Sequence, residues 1–450
     1  MFCDQRHPCC IRKVIIFPCA HSLVNRRIAA THLSASPLFH MSKERVIASL
    51  DVGSSKIRTV VAVADGEKDH SAPNIIGVGL SPSTGIRRGQ VIDVDELVNN
   101  IVSSLEDAER MAGVPVNRVF VGVSGSHIES FDSRGVIAVS GGEITVDDVA
   151  RVLEAAQAVS IPPNRRILHI EPKGYEVDDQ RGIKNPVGMT GIRLQVEAHI
   201  ITGHVQHVKN LEKCIDQAGV DIDAIIPATI AAGEAVLTKR QKELGVVVVD
   251  IGSGCTSVTV FEEGTILHSI CLPVGGENVT NDIAIGLRTS VETAERLKIE
   301  FGSVLPQEIG EREMIDLSSI SRVDTQTVSK RYLAEIMQAR YYEIFSLVKG
   351  ELDRVGRAGM LPAGVVLTGA TVKAPGVLDL ARDTLGLPVQ MGFPVEVGGV
   401  IEKVDDPAYA TVLGALVWGG RDGGNPSRSG VIQVRRALQH VGGWFKSLLP

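Results

Sequence analysis

Two short segments place a carboxylate beside a turn rich in glycine and hydroxyl residues. In the first, the mostly apolar run Val46–Leu50 ends at Asp51 and turns through Gly53, Ser54, Ser55 and Lys56 into Thr59–Val63. In the second, Val246–Val249 ends at Asp250 and turns through Gly252, Ser253, Gly254, Cys255 and Thr256 into Val258–Phe261. Such runs read as buried strands, and the Gly/Ser clusters as hairpin turns. Glycine lets backbone N–H groups crowd onto an anion, and Ser, Thr and Lys add donors. An Asp at each strand end suits a hydrated Mg2+, which takes few carboxylates and keeps many waters. One such hairpin says little, because Asp-x-Gly turns are common. Two look like facing jaws around one phosphate chain.

A third segment completes the set. Val365–Thr368 is a short buried strand running into Gly369 and Ala370, and Pro375-Gly376 precedes the helical pattern Val377–Leu385. Together the three resemble the two phosphate motifs and the adenosine motif of the actin / Hsp70 / sugar-kinase superfamily. That resemblance implies a nucleotide-binding cleft between two related lobes.

The elements that would carry these motifs follow from bulk properties and pattern. A chain of 450 residues with 44% hydrophobic and 22% charged residues buries several cores, about three domains by length. A net charge of −7 argues against a nucleic-acid binder. No stretch approaches the ~18 apolar residues of a membrane span. Cys3, Cys9, Cys10 and Cys19 crowd the first 20 residues, while Cys214, Cys255 and Cys271 are scattered without CxxC spacing. A reducing cytoplasm fits that usage better than a disulfide framework or a zinc site. His199, His204 and His207 lack a carboxylate or Cys to complete a ligand set, and read as surface or satisfied histidines. The first 40 residues, rich in Cys, Arg and His, show no helix or strand period. We read them as an extension upstream of a start at Met41, with a targeting segment as the competing reading.

Strands and helices alternate from Val46 to about Ser124. Asp95–Ala112 is expected to be a helix with Leu97, Ile101, Leu105 and Met111 on its apolar face, closed by Gly113. From Ser126 to Glu197 the texture changes to an inserted small α/β domain, with a helix opened by Thr145 and Asp148 at capping-box spacing. His199–Gly203 is expected to return the chain to the first lobe, Gly245 to open the second, and Val274–Lys349 to form a largely helical insertion. Gly419–Gly430 reads as a flexible linker. Beyond it Val431, Val434, Leu438, Val441, Phe445 and Leu448 recur at steps of three and four, with Trp444 widening the stripe. Arg435, Arg436 and Lys446 add positive charge, and no acid follows Asp422. A basic helix with such a face is the profile of an in-plane membrane helix on anionic lipid. Folding back onto the body, or docking on a partner, are the alternatives.

With cleft and tail together, the chain resembles the bacterial actin-like FtsA cell-division family from about Met41 to its end. Val274–Ala284, Ala294–Lys298 with Phe301-Gly302, and Asn185–Met189 carry the likeness beyond the superfamily motifs. The resemblance implies an α/β, actin-like two-lobe fold of RNase H-like domains, with an inserted small domain and a C-terminal amphipathic helix. It divides the chain into 1–40 (extension), 41–125 with 198–243 (first lobe, 1A), 126–197 (inserted, 1C-like) and 244–273 with 350–418 (second lobe, 2A). Residues 274–349 form a helical subdomain (2B), 419–430 a linker and 431–450 the membrane helix. It further implies ATP and Mg2+ as ligands, polymerisation on the cytoplasmic face of the inner membrane at the septum, and tethering of the FtsZ C-terminal tail through 274–349. Later division proteins are implied as further partners.

Carried over by residue, Asp51, Gly53, Ser54, Ser55 and Lys56 would hold phosphate and metal on one side. Asp250, Gly252, Ser253, Gly254 and Thr256 would do so on the other. Gly275, Gly276, Gly369 and Ala370 would approach the nucleotide through backbone. Glu295 and Lys298, spaced i and i+3 on a helix, resemble the pair that bonds ribose hydroxyls; a surface ion pair is the plainer reading.

Three departures matter. Cys255 replaces a hydroxyl, for which Thr256 is expected to compensate; Ala370 replaces a second glycine. The stretch Ile226–Glu234 offers no obvious Gln or Glu to orient an attacking water. Attack on a γ-phosphate needs such a water, so at most slow turnover is expected. The competing classes are a soluble small-molecule kinase, which needs a carboxylate base beside an acceptor pocket, and a pilus-assembly relative of the PilM branch, against which the tail argues.

Overall fold

Two β-sheets with the same strand order make up the two halves of the molecule. The structure, a computed structural model, describes residues 44–422 apart from 66–71, 160, 322–323, 325, 396 and 400. The extension 1–40, most of the expected linker and the membrane-helix stripe from Val431 to Leu448 lie outside the described residues.

In the first sheet Glu44–Val52, Lys56–Asp65 and Asn74–Pro82 form an antiparallel meander. Arg118–Val123 and then Asp221–Pro227 add in parallel on the other side of the first strand, and Gly398–Gly399 caps the far edge. The second sheet repeats this plan. Val246–Ile251, Thr256–Glu262 and Thr265–Leu272 meander, while Val365–Thr368 and Val389–Met391 add in parallel. Strands such as Val246–Val249 are covered on both faces, which is why they read as unbroken apolar runs rather than alternations.

Helices Ala228–Val236 and Ala410–Asp422 pack on each other inside the larger core, which draws residues from both halves. Their crossing is close enough that a Cβ on Gly414 would stand 1.7 Å from the Ala231 carbonyl oxygen, so only glycine fits there. Helix Val94–Ala112 covers the opposite face of the first sheet, capped by the Asp93 carboxylate at its start and by left-handed Gly113 at its end. Its buried face is Leu97, Ile101, Ser104, Leu105 and Ala108. Met111, expected on that face, is exposed instead, while Ala108 is fully buried.

The inserted domain is a four-stranded sheet, ordered Ile128–Ala138, Arg193–His204, Arg165–Val177 and Gln180–Ile183, with helix Val146–Gln157 on one face. Thr145 and Asp148 form the expected capping box. The strand Arg193–His204 runs unbroken, so His199–Gly203 close the inserted sheet rather than open the return to the first lobe. The second insertion holds helices Gly276–Leu287 and Val291–Phe301 and a small hairpin, Met314–Asp316 with Thr327–Ser329. Helix Lys330–Arg354 then carries the chain back, spanning the expected boundary at 349 without a break. Helix Ala410–Asp422 likewise takes in Gly419–Asp422, the first residues of the expected linker.

Candidate functional site

The two carboxylate hairpins face each other because the two sheets are built alike. Asp51 sits opposite Arg58 within its hairpin and beside Gly122 on the parallel strand; Asp250 sits opposite Ser257 and beside Thr368. The aspartates therefore hold equivalent places in the two lobes. Both line one cavity of about 300 Å³.

Burial raises both carboxyls. Asp51 is pushed up to about 6 by burial, pulled back by the Arg58 guanidinium and pushed again by Asp250. Asp250 is raised by burial, against the Thr411 hydroxyl, which donates to its Oδ2 at 2.9 Å, and against Arg58. Two buried carboxyls raised toward neutrality are poised to gain from a nearby cation.

The turns approach closely. A Cβ on Gly254 would lie 2.7 Å from Ser54 Oγ and 3.1 Å from Arg88 Cα in the opposite jaw. Among the described residues no left-handed backbone occurs at Gly252, Ser253 or Gly254. Ser253 is thus unstrained, and Gly254 is required for space rather than for its torsion angles. Gly369 is different: it has φ +92°, and a Cβ there would stand 2.5 Å from Asp250 Oδ1. It lets the third motif close against the second.

Gly53, Ser54, Ser55 and Lys56 line the cavity on one side; Gly252, Ser253, Gly254, Gly276, Gly369 and Ala370 line it on the other. Glu295 and Lys298 reach it from helix Val291–Phe301. They are tied together at 2.6 Å, and Lys298 Nζ also donates to Thr280 Oγ1 at 2.8 Å and to the Gly276 carbonyl at 3.2 Å. The pair is therefore fixed at the mouth rather than swinging on the surface.

Two expected residues serve the cavity from behind. Thr256 is fully buried and donates to the Val274 carbonyl at 2.7 Å, so its hydroxyl is spent and cannot stand in for the one that Cys255 replaces. The Gly275 N–H goes to Asn278 Oδ1 at 3.0 Å, and the Gly276 and Glu277 N–H groups to the carbonyls of Gly252 and Ser253 at 2.9 and 2.8 Å. This helix start buttresses the phosphate-type turn, and Gly276 also lies on the cavity wall.

Other lining residues were not singled out in the sequence: Arg58, Ser124, Ile299, Thr371, Lys373 and Thr411. Arg58 was within reach, since the hairpin register places it opposite Asp51. Thr411 lies far along the chain on a helix with no local signal. No residue of Ile226–Glu234 lines the cavity. His199 is a satisfied core histidine, with Nδ1 2.8 Å from Asp132 Oδ1 and Nε2 2.8 Å from Ser269 Oγ. Cys214, Cys255 and Cys271 are buried free thiols.

Two lobes of equal sheet order, a cleft where their hairpins meet and a small domain inserted in the first lobe define the actin-like fold. The solved PilM-PilN type IV pilus biogenesis complex shares it, with a TM-score of 0.60 over 83% of this chain and 98% of that one, at 16% identity. The family model described as "Cell division protein FtsA" matches residues 247–414, and that of the "SHS2 domain inserted in FTSA" matches 125–202. The Bacillus subtilis (strain 168) cell division protein FtsA is 40% identical over 404 residues, 89% of this chain and 90% of that protein. The Escherichia coli K12 cell division protein FtsA is 33% identical over 414 residues, 90% of this chain and 96% of that protein. The chain belongs to the FtsA family of cell-division proteins.

Proposed function

We propose that this protein binds ATP in the inter-lobe cleft, polymerises on the inner face of the cell membrane and anchors FtsZ filaments there at the septum. The observation that carries the nucleotide reading is the single cavity lined by both aspartates and both turns. Ser54, Ser55 and Lys56 would meet the phosphates from one side, and the turn at Ser253 and Gly254 from the other. Two buried carboxylates with room for water fit a hydrated Mg2+, whose charge would offset that of the phosphates. Glu295 and Lys298 would hold the ribose hydroxyls, and Gly369 with Ala370 would let the base lie against backbone. With no carboxylate or amide from Ile226–Glu234 at the cavity, an attacking water lacks an orienting group there, so turnover is slow and the nucleotide acts as a conformational ligand.

Membrane attachment rests on the amphipathic basic stripe of 431–450. Among the described residues no helix is long and apolar enough to cross a membrane. The test is flotation on anionic liposomes with Mg-ATP, comparing Met41–Pro450 with a chain ending at Ser429. The longer chain should float and the shorter should not; flotation of neither would sink the membrane-scaffold reading.

A further inference from the structure

The turn that follows Asp250 ends on a thiol, and a second thiol lies beside it. Cys255 and Ser257 both line the cavity that holds the two aspartates. Cys255 immediately precedes strand Thr256–Glu262, and alternation turns it and Ser257 to the same face. The register sets Ser257 directly opposite Cys271 on strand Thr265–Leu272, so all three side chains share that face. Ser257 Oγ lies 4.0 Å from Cys271 Sγ, and the two thiols hydrogen-bond each other. Among the described residues neither belongs to a set that could hold a metal ion.

The pair does not share its protons evenly. The hydrogen bond from Cys255 holds the Cys271 thiol below its ordinary range; burial opposes this, and the Gly125 N–H and the Ser257 hydroxyl reinforce it. Cys255 keeps its proton, its thiol raised by that same bond and by burial. A thiolate is the form that attacks an oxidant, and a neighbouring thiol condenses with the sulfenic acid so formed.

We propose that Cys255 and Cys271 form a reversible disulfide in the wall of the cleft, closed by hydrogen peroxide and opened by a small thiol, and that closing it weakens nucleotide binding. A water-sized peroxide enters through the cavity wall at Cys255 and Ser257. The Cys271 sulfur attacks one of its oxygens, the O–O bond breaks, and hydroxide leaves and takes up the proton that Cys271 shed. The Cys255 sulfur then displaces water from the sulfenic acid, its own proton leaving with that water. Two thiols and one peroxide thus become one disulfide and two waters, with two electrons passing from sulfur to oxygen. A small thiol reopens the bond by exchange.

The effect on the ligand follows from the turn. The Gly252 N–H donates to the Cys255 carbonyl at 3.0 Å, and Gly254 is already tight against Ser54 and Arg88. Drawing Cys255 toward Cys271 therefore moves the whole turn. This rests on the nucleotide reading above, and the cross-link and its effect are tested separately.

The first arm contains no nucleotide. The full chain is treated with hydrogen peroxide and digested with a glutamate-specific protease, which cuts between the two cysteines at Glu262 and Glu263. Mass spectrometry without reductant should find the Cys255 and Cys271 peptides linked, and dithiothreitol should separate them. Cys271→Ser should give no linked species. Peptides that stay unlinked in the treated wild type overturn the proposal.

The second arm measures affinity for a fluorescent ATP analogue with Mg2+ before peroxide, after it and after dithiothreitol. The wild type should lose about tenfold or more and then recover, while Cys271→Ser, which lacks the attacking sulfur, should stay within about twofold throughout. Linking without loss of affinity, or equal losses in both proteins, overturns the switching half. A reduced wild type that binds no nucleotide contradicts the nucleotide reading and the switching half together, while the peptide arm still decides the cross-link.

Discussion

Ser54 and Gly254 belong to opposite jaws, and the hydroxyl of the first lies 2.7 Å from where a side chain on the second would begin. The cleft therefore closes on the absence of a methyl group. Ser54 Oγ can rotate away, but Arg88 Cα, 3.1 Å from the same point, is backbone and cannot. Gly254→Ala should wedge the jaws slightly apart and Gly254→Val further. We expect nucleotide affinity to fall about tenfold and about a hundredfold respectively, with thermal stability little changed. Equal affinities across the three proteins would show that the jaws do not meet on the ligand.

Gly369 answers to a harsher constraint. It combines φ +92° with a Cβ position 2.5 Å from both Asp250 Oδ1 and the Ile251 carbonyl oxygen. Gly369→Ala should cost roughly 2–4 kcal/mol in folding stability, read as a lower denaturant midpoint. A change below about 0.5 kcal/mol would mean that the third motif is free to retreat from the second.

Glu295 and Lys298 are held at 2.6 Å from each other, at the cavity mouth. If they grip ribose hydroxyls, Glu295→Gln should weaken ATP about tenfold and erase the preference for ATP over 2′-deoxy-ATP. A plain ion pair would leave that preference untouched.

Acid should weaken the fold through His127. Burial holds its imidazole down at about 4, with the charges of His207, Arg165 and His204 adding to the effect. An unfolded histidine titrates near ~6.5. Between those values the unfolded chain binds a proton that the folded chain refuses. Stability fully present above pH ~6.5 is therefore lost as pH falls through the window. Asp51, pushed up to about 6 by burial, acts in the opposite sense over part of the same range. The difference between the wild type and His127→Phe isolates the histidine. The wild type should lose on the order of 2 kcal/mol more than the variant between pH 7 and 5, and parallel curves would refute the assignment.

Much of this was legible in the chain because the decisive features are local. The two aspartate motifs are each a strand, a turn and a second strand in one short stretch, the third is a strand and a turn before a helix, and the strand Val365–Thr368 and helix Val377–Leu385 fall where their patterns end. Reciprocal capping at Thr145 and Asp148 follows from spacing alone. What escaped depends on contacts between distant segments. Gly419 has the composition of a linker, yet it is helical because the helix packs against Phe120 so tightly that a Cβ would stand 2.4 Å from that ring. His199 lies in the inserted sheet, paired on both sides, and Asp132 and Ser269, distant in sequence, satisfy both of its nitrogens. Thr256 looked like a ligand donor until the Val274 carbonyl claimed its proton.

The proposed nucleotide would sit, one per chain, between Asp51 and Asp250. Titration calorimetry of ATP into the full chain, alongside Asp51→Ala and Asp250→Ala, addresses it directly. A single site per chain is expected in the wild type, and a loss of about tenfold or more in either variant. Wild-type affinity in both variants, or no heat in any of the three, would contradict it.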